Sequence, residues 1–455
     1  MTRKEKWALA MPGPTSQLGQ IIIHNVLMKY YTDIIGLDAK FIGWVYLIYN
    51  IWNAINDPLF GVLIDKMPYR PKRGKYVYLM RVTTPVMLLA MVGMVLNSPS
   101  WNEWLIFGLL TLELFVFDTG YTAYSIGYNS YFYIKAPTAA DRVNVDTRRV
   151  YLANAISFLA TLIPTLLLVD NKDPKLIIPA LLGVVAVDAV LMFFSLRILK
   201  ESEDIYKTIP VKNEKVNYKE TLAAAWGVIK AKAFWTYLLF FITARGAISY
   251  YFTPFLYYVD HVSKASEIEA TIADVLPGLI MLALLPLITK VIKHVGSKVA
   301  ILISYIPALM GFAGLFFNSN IVNVVSCYVL IILGKNCMEV ACTPINGALI
   351  DDDEMRTGER KTGLVGGVFA LGTIMLTSIQ QFVFSNILSA YGYDAKNITE
   401  QAILGIRIGT CLVPIAFFLL GLIPLLLFPI NKKREDELSL FNKTQREAGN
   451  RQEEA

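Results

Sequence analysis

Residues 40–65 read KFIGWVYLIYNIWNAINDPLFGVLID. The run is long enough to cross a hydrocarbon core about 30 Å thick, which takes roughly 20 residues of helix. Its middle is nevertheless polar. Asn53, Asn56 and Asp57 follow one another at helical spacings i, i+3 and i+4, so they share one face. A charged side chain at mid-membrane costs about 2.5–3.5 kcal/mol on insertion scales, so such a face is expected to line a wet interior. Pro58 removes a backbone donor and frees a carbonyl about a turn earlier. A carboxylate, amide oxygens and a freed carbonyl suit Na⁺ or H⁺; the competing reading is a polar packing cluster between helices.

Outward from this stretch the chain repeats the pattern. Apolar runs fall at 12–35, 40–65, 76–97, 103–133, 149–169, 174–197, 233–259, 268–292, 297–318, 321–350, 362–390 and 401–430. Of the 455 residues 55% are hydrophobic and 17% charged, whereas a soluble domain carries roughly 25% charged residues. Twelve spans leave no room for a large soluble domain. The predicted fold class is therefore an all-α membrane protein of twelve transmembrane helices.

Basic residues alternate between loops. The first even loop carries Lys66, Arg70, Lys72, Arg73 and Lys75, and the later even loops are similarly basic, while the odd loops hold only Lys40, Lys172, Lys175, Lys264 and Lys396. Cytoplasmic loops collect lysine and arginine, so both termini are expected in the cytoplasm. The longest polar stretch between spans follows the sixth run and divides the chain into an N-terminal six-helix bundle (1–199), a cytoplasmic loop (200–219) and a C-terminal six-helix bundle (220–430). Two parallel repeats of this kind typify a carrier. A weak echo between Leu63-Ile64-Asp65-Lys66 and Leu287-Ile288-Thr289-Lys290 agrees with that division. Residues 218–232 suit an interfacial amphipathic helix. The charged tail, 431–455, is expected to be disordered beyond its first residues.

Other classes are disfavoured. The net charge of +6 sits in short loops between apolar runs, which makes it a topology determinant and gives no nucleic-acid surface. Cys327, Cys337, Cys342 and Cys411 lie inside apolar runs without a Cys-x-x-Cys pair, and the three histidines match no ligand spacing, so neither a disulfide framework nor a metal site is expected. Residues 1–14 lack an apolar core followed by a small-residue cleavage site, so the first span is expected to direct insertion itself. The sequence offers no nucleophile–base pair and no cofactor motif; an enzyme is not expected.

Further polar groups interrupt the runs. The fourth carries Glu113, Asp118, Tyr121, Thr122, Tyr124, Ser125, Asn129 and Ser130, either the wall of a wet cavity able to stack on and hydrogen-bond a polyol or polar glue between helices. The tenth places Lys335 and Glu339 at i and i+4 around Asn336, either neutralising each other or facing the cavity. Arg245 and Arg407 have no partner in their own helix. Either could pair with Glu113, Asp118 or Glu339, or hold an anionic substrate group. Lys29, near the end of its run, is expected to snorkel.

Several motifs in register carry a family resemblance. Tyr30-Tyr31-Thr32-Asp33 precedes Ile-Trp-x-Ala-Ile-Asn-Asp-Pro at 51–58. Asp65-Lys66 leads through Arg73-Gly74-Lys75-Tyr76, and Ile350-Asp351-Asp352-Asp353-Glu354-Met355-Arg356-Thr357-Gly358-Glu359-Arg360 follows the tenth run. Together they resemble the glycoside–pentoside–hexuronide:cation symporters of the major facilitator superfamily, the melibiose permease-like carriers, over the chain to about Pro429. The resemblance implies a rocking two-bundle carrier with its cation ligands at Asn53, Asn56, Asp57 and Thr122. Asn53 stands where the family has an aspartate. Loss of one negative charge weakens the hold on Na⁺ and so favours H⁺.

On the sugar side, the two acidic residues that grip a galactoside correspond to Gln17 and Ser125. Cavity tryptophans correspond to Asn129 and Glu339, and an arginine of the fifth span to Arg149, with Arg148 as the alternative. Gln17, Ser125 and Asn129 both donate and accept hydrogen bonds, which keeps a carbohydrate as cargo; Tyr121, Lys335, Arg149 and Arg245 complete the candidate substrate set, the arginines suiting a uronate. Cytoplasmic ion pairs are expected from Asp65, Arg73, Lys75, Asp351, Arg356 and Arg360.

The expected protein is a monomeric, multi-pass symporter of the cell membrane that moves a sugar, glycoside or hexuronide with H⁺ ahead of Na⁺. Its cargo alternative is a lysolipid or other amphiphile, and a non-transporting receptor is the remote alternative.

Overall fold

The structure is a computed structural model. It describes residues 2–65, 67–69, 74–136, 139–170, 173–201, 232–249, 252–357, 379–438 and 440. Among these the regular elements are helices: α1 (Arg3–Ala10), α2 (Pro12–Asn25), α3 (Ala39–Asp65), α4 (Tyr76–Leu96), α5 (Glu103–Lys135), α6 (Ala139–Leu168), α7 (Pro174–Arg197), α8 (Lys232–Phe240), α9 (Glu267–Val295), α10 (Ser297–Phe317), α11 (Ile321–Thr357), α12 (Glu400–Arg407) and α13 (Val413–Leu427). Short helical pieces and wide π turns fill the breaks. The expected loop at 200–219 and the interfacial helix at 218–232 lie largely outside the described residues, as does the first part of the run at 362–390.

Start signals are local. Asn102 accepts a hydrogen bond from the Trp104 amide at 2.9 Å and opens α5. Asp173 accepts from the Lys175 amide at 3.0 Å, with Pro174 at the first helical position of α7. Each satisfies an amide that the helix leaves without a partner. By length and composition seven of the described helices can cross a membrane, and an eighth if the bent pair Glu267–Met281 and Ala283–Val295 is one span. That pair turns by 47°. Its break falls four residues before Pro286, whose ring clashes with the carbonyl at that position and whose missing N–H frees it. The helix α3 has 27 residues yet is not among the seven, because its polar face dilutes the apolar run.

The runs at 12–35 and 233–259 are not continuous α-helices. The first widens into a π turn at Tyr30–Ile35, closed by Gly36 in the left-handed region at φ 80°. The second contains π turns at Phe241–Arg245 and Tyr258–Val262. Such widened turns recur at functional sites in helical proteins.

Contacts divide the chain into two compact units. One comprises Met1–Asn213, Lys264–Thr271 and Leu388–Ala402; the other comprises Glu214–Ser263, Ile272–Ile387 and Ile403–Ala455. In the first, buried tyrosines tie helices through backbone carbonyls: Tyr30 to Val95 at 2.7 Å, Tyr46 to Ile23 at 2.7 Å and Tyr124 to Pro12 at 3.0 Å. Lipid tails are as apolar as leucine, so hydrogen bonds and close packing hold such helices together. Lys29 does not snorkel. It is buried and paired with Asp33 at 2.6 Å, because the next helical turn supplies a carboxylate at i+4.

In the second unit α10 and α11 approach closely at Gly311. A Cβ there would sit 2.6 Å from the Cys327 carbonyl oxygen and from Ile331 Cγ1. Gly311→Ala is expected to lower stability by about 1–3 kcal/mol through overpacking, read as a drop in Tm in detergent. Gly347→Ala, which lies inside α11 and meets nothing within 4 Å, should hold or slightly raise Tm, because alanine is the better helix former. The tail begins in order: 432–438 are helical, Asn431 accepts from the Arg434 amide at 3.1 Å and Arg434 pairs with Asp352 at 2.8 Å.

Candidate functional site

Three rungs join α3 to α5 within the first unit. Trp52 stacks on Phe115 with ring centroids 4.9 Å apart and planes 15° from parallel, and its indole N–H donates to Thr119 Oγ1 at 3.3 Å. This large aromatic contact sets the register. One turn on, Asn56 Nδ2 donates to Asp118 Oδ2 at 3.1 Å, and Thr122 Oγ1 donates to Asp57 Oδ1 at 2.7 Å. Asn56 is 0% exposed and Asp118 1%. Asp57 itself is exposed.

The direction of that exposure matters. Ile51, Ile55, Leu59 and Leu63 form the exposed apolar stripe of α3. Asp57 lies two residues from Ile55, about 200° around the helix, and so points away from that stripe. Asn53, one turn before Asp57 on the same side, is half-buried.

The oxygens gathered here are those of Asp57, Thr122, Asp118 and Asn56. Asn56 Oδ1 is buried and accepts no hydrogen bond. A buried acceptor left without a donor costs about 1–3 kcal/mol, and on an amide bonded to the Asp118 carboxylate it suits a positive ion. Asp118 lies within electrostatic reach of Asp57. Its partner is therefore Asn56 on the neighbouring helix, where a cation from another span was one expectation. Glu113 likewise accepts from Asn97 at 2.9 Å, and Arg407 donates to the Phe316 carbonyl.

The other expected residues are placed as follows. Tyr121, Ser125 and Asn129 recur every fourth position on one face of α5, the first two half-buried and the last exposed; Tyr121 stacks on Phe117, centroids 6.2 Å apart. Gln17 is exposed on α2. Arg149 is half-buried over the Phe132 ring at 6.0 Å, and Arg148 lies over Trp7 at 5.6 Å. In the second unit, Lys335 and Glu339 are half-buried on α11, and Lys335 is within electrostatic reach of Asp274 on α9.

Of the expected cytoplasmic set, Lys75 lies over the Tyr76 ring at 5.0 Å, Asp351 is buried, and Arg356 pairs with Asp353 at 2.7 Å within its own helix. Arg73 and Arg360 lie outside the described residues, as do the side chains of Asp65 and Arg245.

Sequence reasoning missed several groups. Asp188 on α7 and Asp274 on α9 are carboxylates with a buried oxygen that accepts no hydrogen bond. Glu201 accepts from the Tyr76 and Val77 amides at 3.2 and 2.8 Å, an anion at the start of α4 where the helix dipole favours one. Arg81 lies inside the run at 76–97. The signal for the two aspartates and Arg81 was their position: each is a charge within an apolar run.

Comparison with known proteins agrees with this architecture. A family model described as "MFS/sugar transport protein" matches residues 8–432. The uncharacterized symporter YjmB of Bacillus subtilis (strain 168) is 25% identical over 420 residues, covering 89% of this chain and 87% of that protein. The isoprimeverose transporter of Lactiplantibacillus pentosus is 22% identical over 445 residues, covering 94% and 89%. Among solved structures, the nucleoside transporter NupG superposes with a TM-score of 0.68 at 14% identity, covering 94% of this chain and 99% of that one. The chain belongs to the MFS/sugar transport family and is a membrane transporter of the major-facilitator fold.

Proposed function

We propose that this protein is a cation-coupled symporter of a sugar or glycoside, working by alternating access in the cell membrane. The observation that carries the coupling is the α3–α5 cluster. Thr122 turns its hydroxyl onto Asp57 while Asn56 holds Asp118, and the Asn56 amide oxygen stays buried without a donor. Asp57, Asn53, Asn56 and Thr122 form the ion site of this reading, and Asp118 completes it. Uptake of one positive charge by the cluster lowers the cost of closing it away from water. The family match and relatives named as symporters support the cycle.

The sugar site of this reading comprises Gln17, Tyr121, Ser125 and Asn129 with Arg149, Arg245, Lys335 and Glu339 as further members. The isoprimeverose transporter among the relatives supports a glycoside as cargo. Twelve spans in two six-helix bundles, 1–199 and 220–430, with both termini cytoplasmic, complete the topology we propose.

The coupling ion is H⁺ in the first reading, which rests on Asn53. Na⁺ is the second, and Asn56 Oδ1 favours it: Asp118 restores the second carboxylate that Asn53 lacks, and an all-oxygen set suits a hard cation. Uptake of a labelled glycoside panel into vesicles separates them. An imposed pH gradient with no Na⁺ present should drive accumulation; drive by a Na⁺ gradient alone would establish the second reading, and accumulation indifferent to both gradients would reject cation symport.

A further inference from the structure

Arg81 sits a turn and a half inside the apolar helix α4, where a charge is costly and therefore usually functional. Its Nη2 donates to the carbonyls of Leu196 and Leu199 at 3.0 and 3.2 Å, across the gap to the end of α7. That leaves Nη1 and Nε to other acceptors. Arg197, on the same end of α7, lies over the Phe193 ring at 5.9 Å. Neither arginine makes an ion pair with a carboxylate among the described residues. Both are exposed.

Between them opens a groove of about 720 Å³ whose remaining walls include Pro85, Leu88, Ala189 and Phe193. Exposed apolar residues stand next to its walls in both helices: Leu89 on α4, Val190 and Phe194 on α7. The groove therefore joins two guanidinium groups that make no carboxylate ion pair among the described residues to an apolar trough on the outer face of the helices. Guanidinium groups bind phosphate through paired N–H donors, and a volume of about 720 Å³ leaves room for part of an acyl chain. A neutral sugar lacks both the anion and the apolar tail that this surface complements, and a uronate lacks the tail.

We propose that the α4–α7 groove binds an anionic phospholipid, with its phosphate between Arg81 and Arg197 and an acyl chain along Leu88, Ala189 and Phe193. The site is separate from the α3–α5 cluster and does not depend on the transport reading.

The test uses the full chain, delipidated in detergent and equilibrated with equal phosphatidylglycerol and phosphatidylcholine, with bound lipid counted by native mass spectrometry. Wild type should retain phosphatidylglycerol roughly 30-fold over phosphatidylcholine, from two arginines near the membrane surface. The Arg81→Gln/Arg197→Gln pair should lose that preference. Ala189→Trp, which fills the trough and keeps both cations, should lose it as well. Arg197→Gln alone makes no change to a hydrogen bond of the fold and should lower the preference severalfold, which keeps the test sharp should the double variant misfold. Equal retention of both lipids by wild type, or an undiminished preference in Arg197→Gln and Ala189→Trp, would overturn the site.

Discussion

Asp57→Ala should abolish accumulation of substrate against its gradient while exchange of labelled for unlabelled substrate across the membrane persists. The carboxylate accepts the Thr122 hydroxyl at 2.7 Å, lies within electrostatic reach of Asp118, and points away from the apolar stripe of α3. It is thus the exposed member of an otherwise buried pair, the one an ion meets first. Loss of its charge takes away one of the two carboxylates that would hold the ion, so ion affinity should fall by roughly an order of magnitude or more. Substrate exchange needs no net ion movement, so it separates a coupling defect from a folding defect. Retained gradient-driven accumulation in Asp57→Ala would remove this residue from the coupling step.

The second large effect concerns stability. Lys29→Met should destabilise the protein by about 3–5 kcal/mol, because it strands a carboxylate in the interior. Lys29 and Asp33 meet at 2.6 Å with both side chains 1% exposed. Asp33 Oδ1 further accepts from Thr32 Oγ1 at 2.8 Å and from Tyr393 OH at 2.6 Å. These hydroxyls cannot supply the missing positive charge. The double variant Lys29→Met/Asp33→Leu removes both charges and should recover most of the lost Tm, since apolar replacement of a buried pair is often neutral. A single variant as stable as wild type would show that water reaches Asp33.

Much of the proposed ion site is legible in residues 51–58, because periodicity within one helix is read directly: Asn53, Asn56 and Asp57 share a face at any tertiary arrangement. Thr122 came from resemblance. What periodicity could not show was pairing between helices. The sequence leaves Asp118 open between a cavity wall, polar glue between helices and pairing with a distant arginine; the stacking of Trp52 on Phe115 sets a register that brings it to Asn56. The same limit affected Lys29. Its nearness to a run end suggested snorkelling, whereas Asp33 one turn later, in a backbone widened into a π turn, holds it inside. Arg81, Asp188 and Asp274 escaped notice because their runs were read for length and apolarity, so single charges inside them were averaged away. The bend in α9 was available from Pro286, which disrupts the position four residues before it.

The central claim is that Asp57 carries the coupling ion, and ion movement evoked by substrate tests it most directly. Proteoliposomes holding a pH-sensitive dye, with no imposed gradient, would receive the transported glycoside outside while uptake of radioactive sodium is followed in parallel. The account predicts that wild type acidifies the interior, or takes up Na⁺ in its place, and that Asp57→Asn does neither while still exchanging substrate. Substrate-evoked ion entry of wild-type size through Asp57→Asn would contradict it.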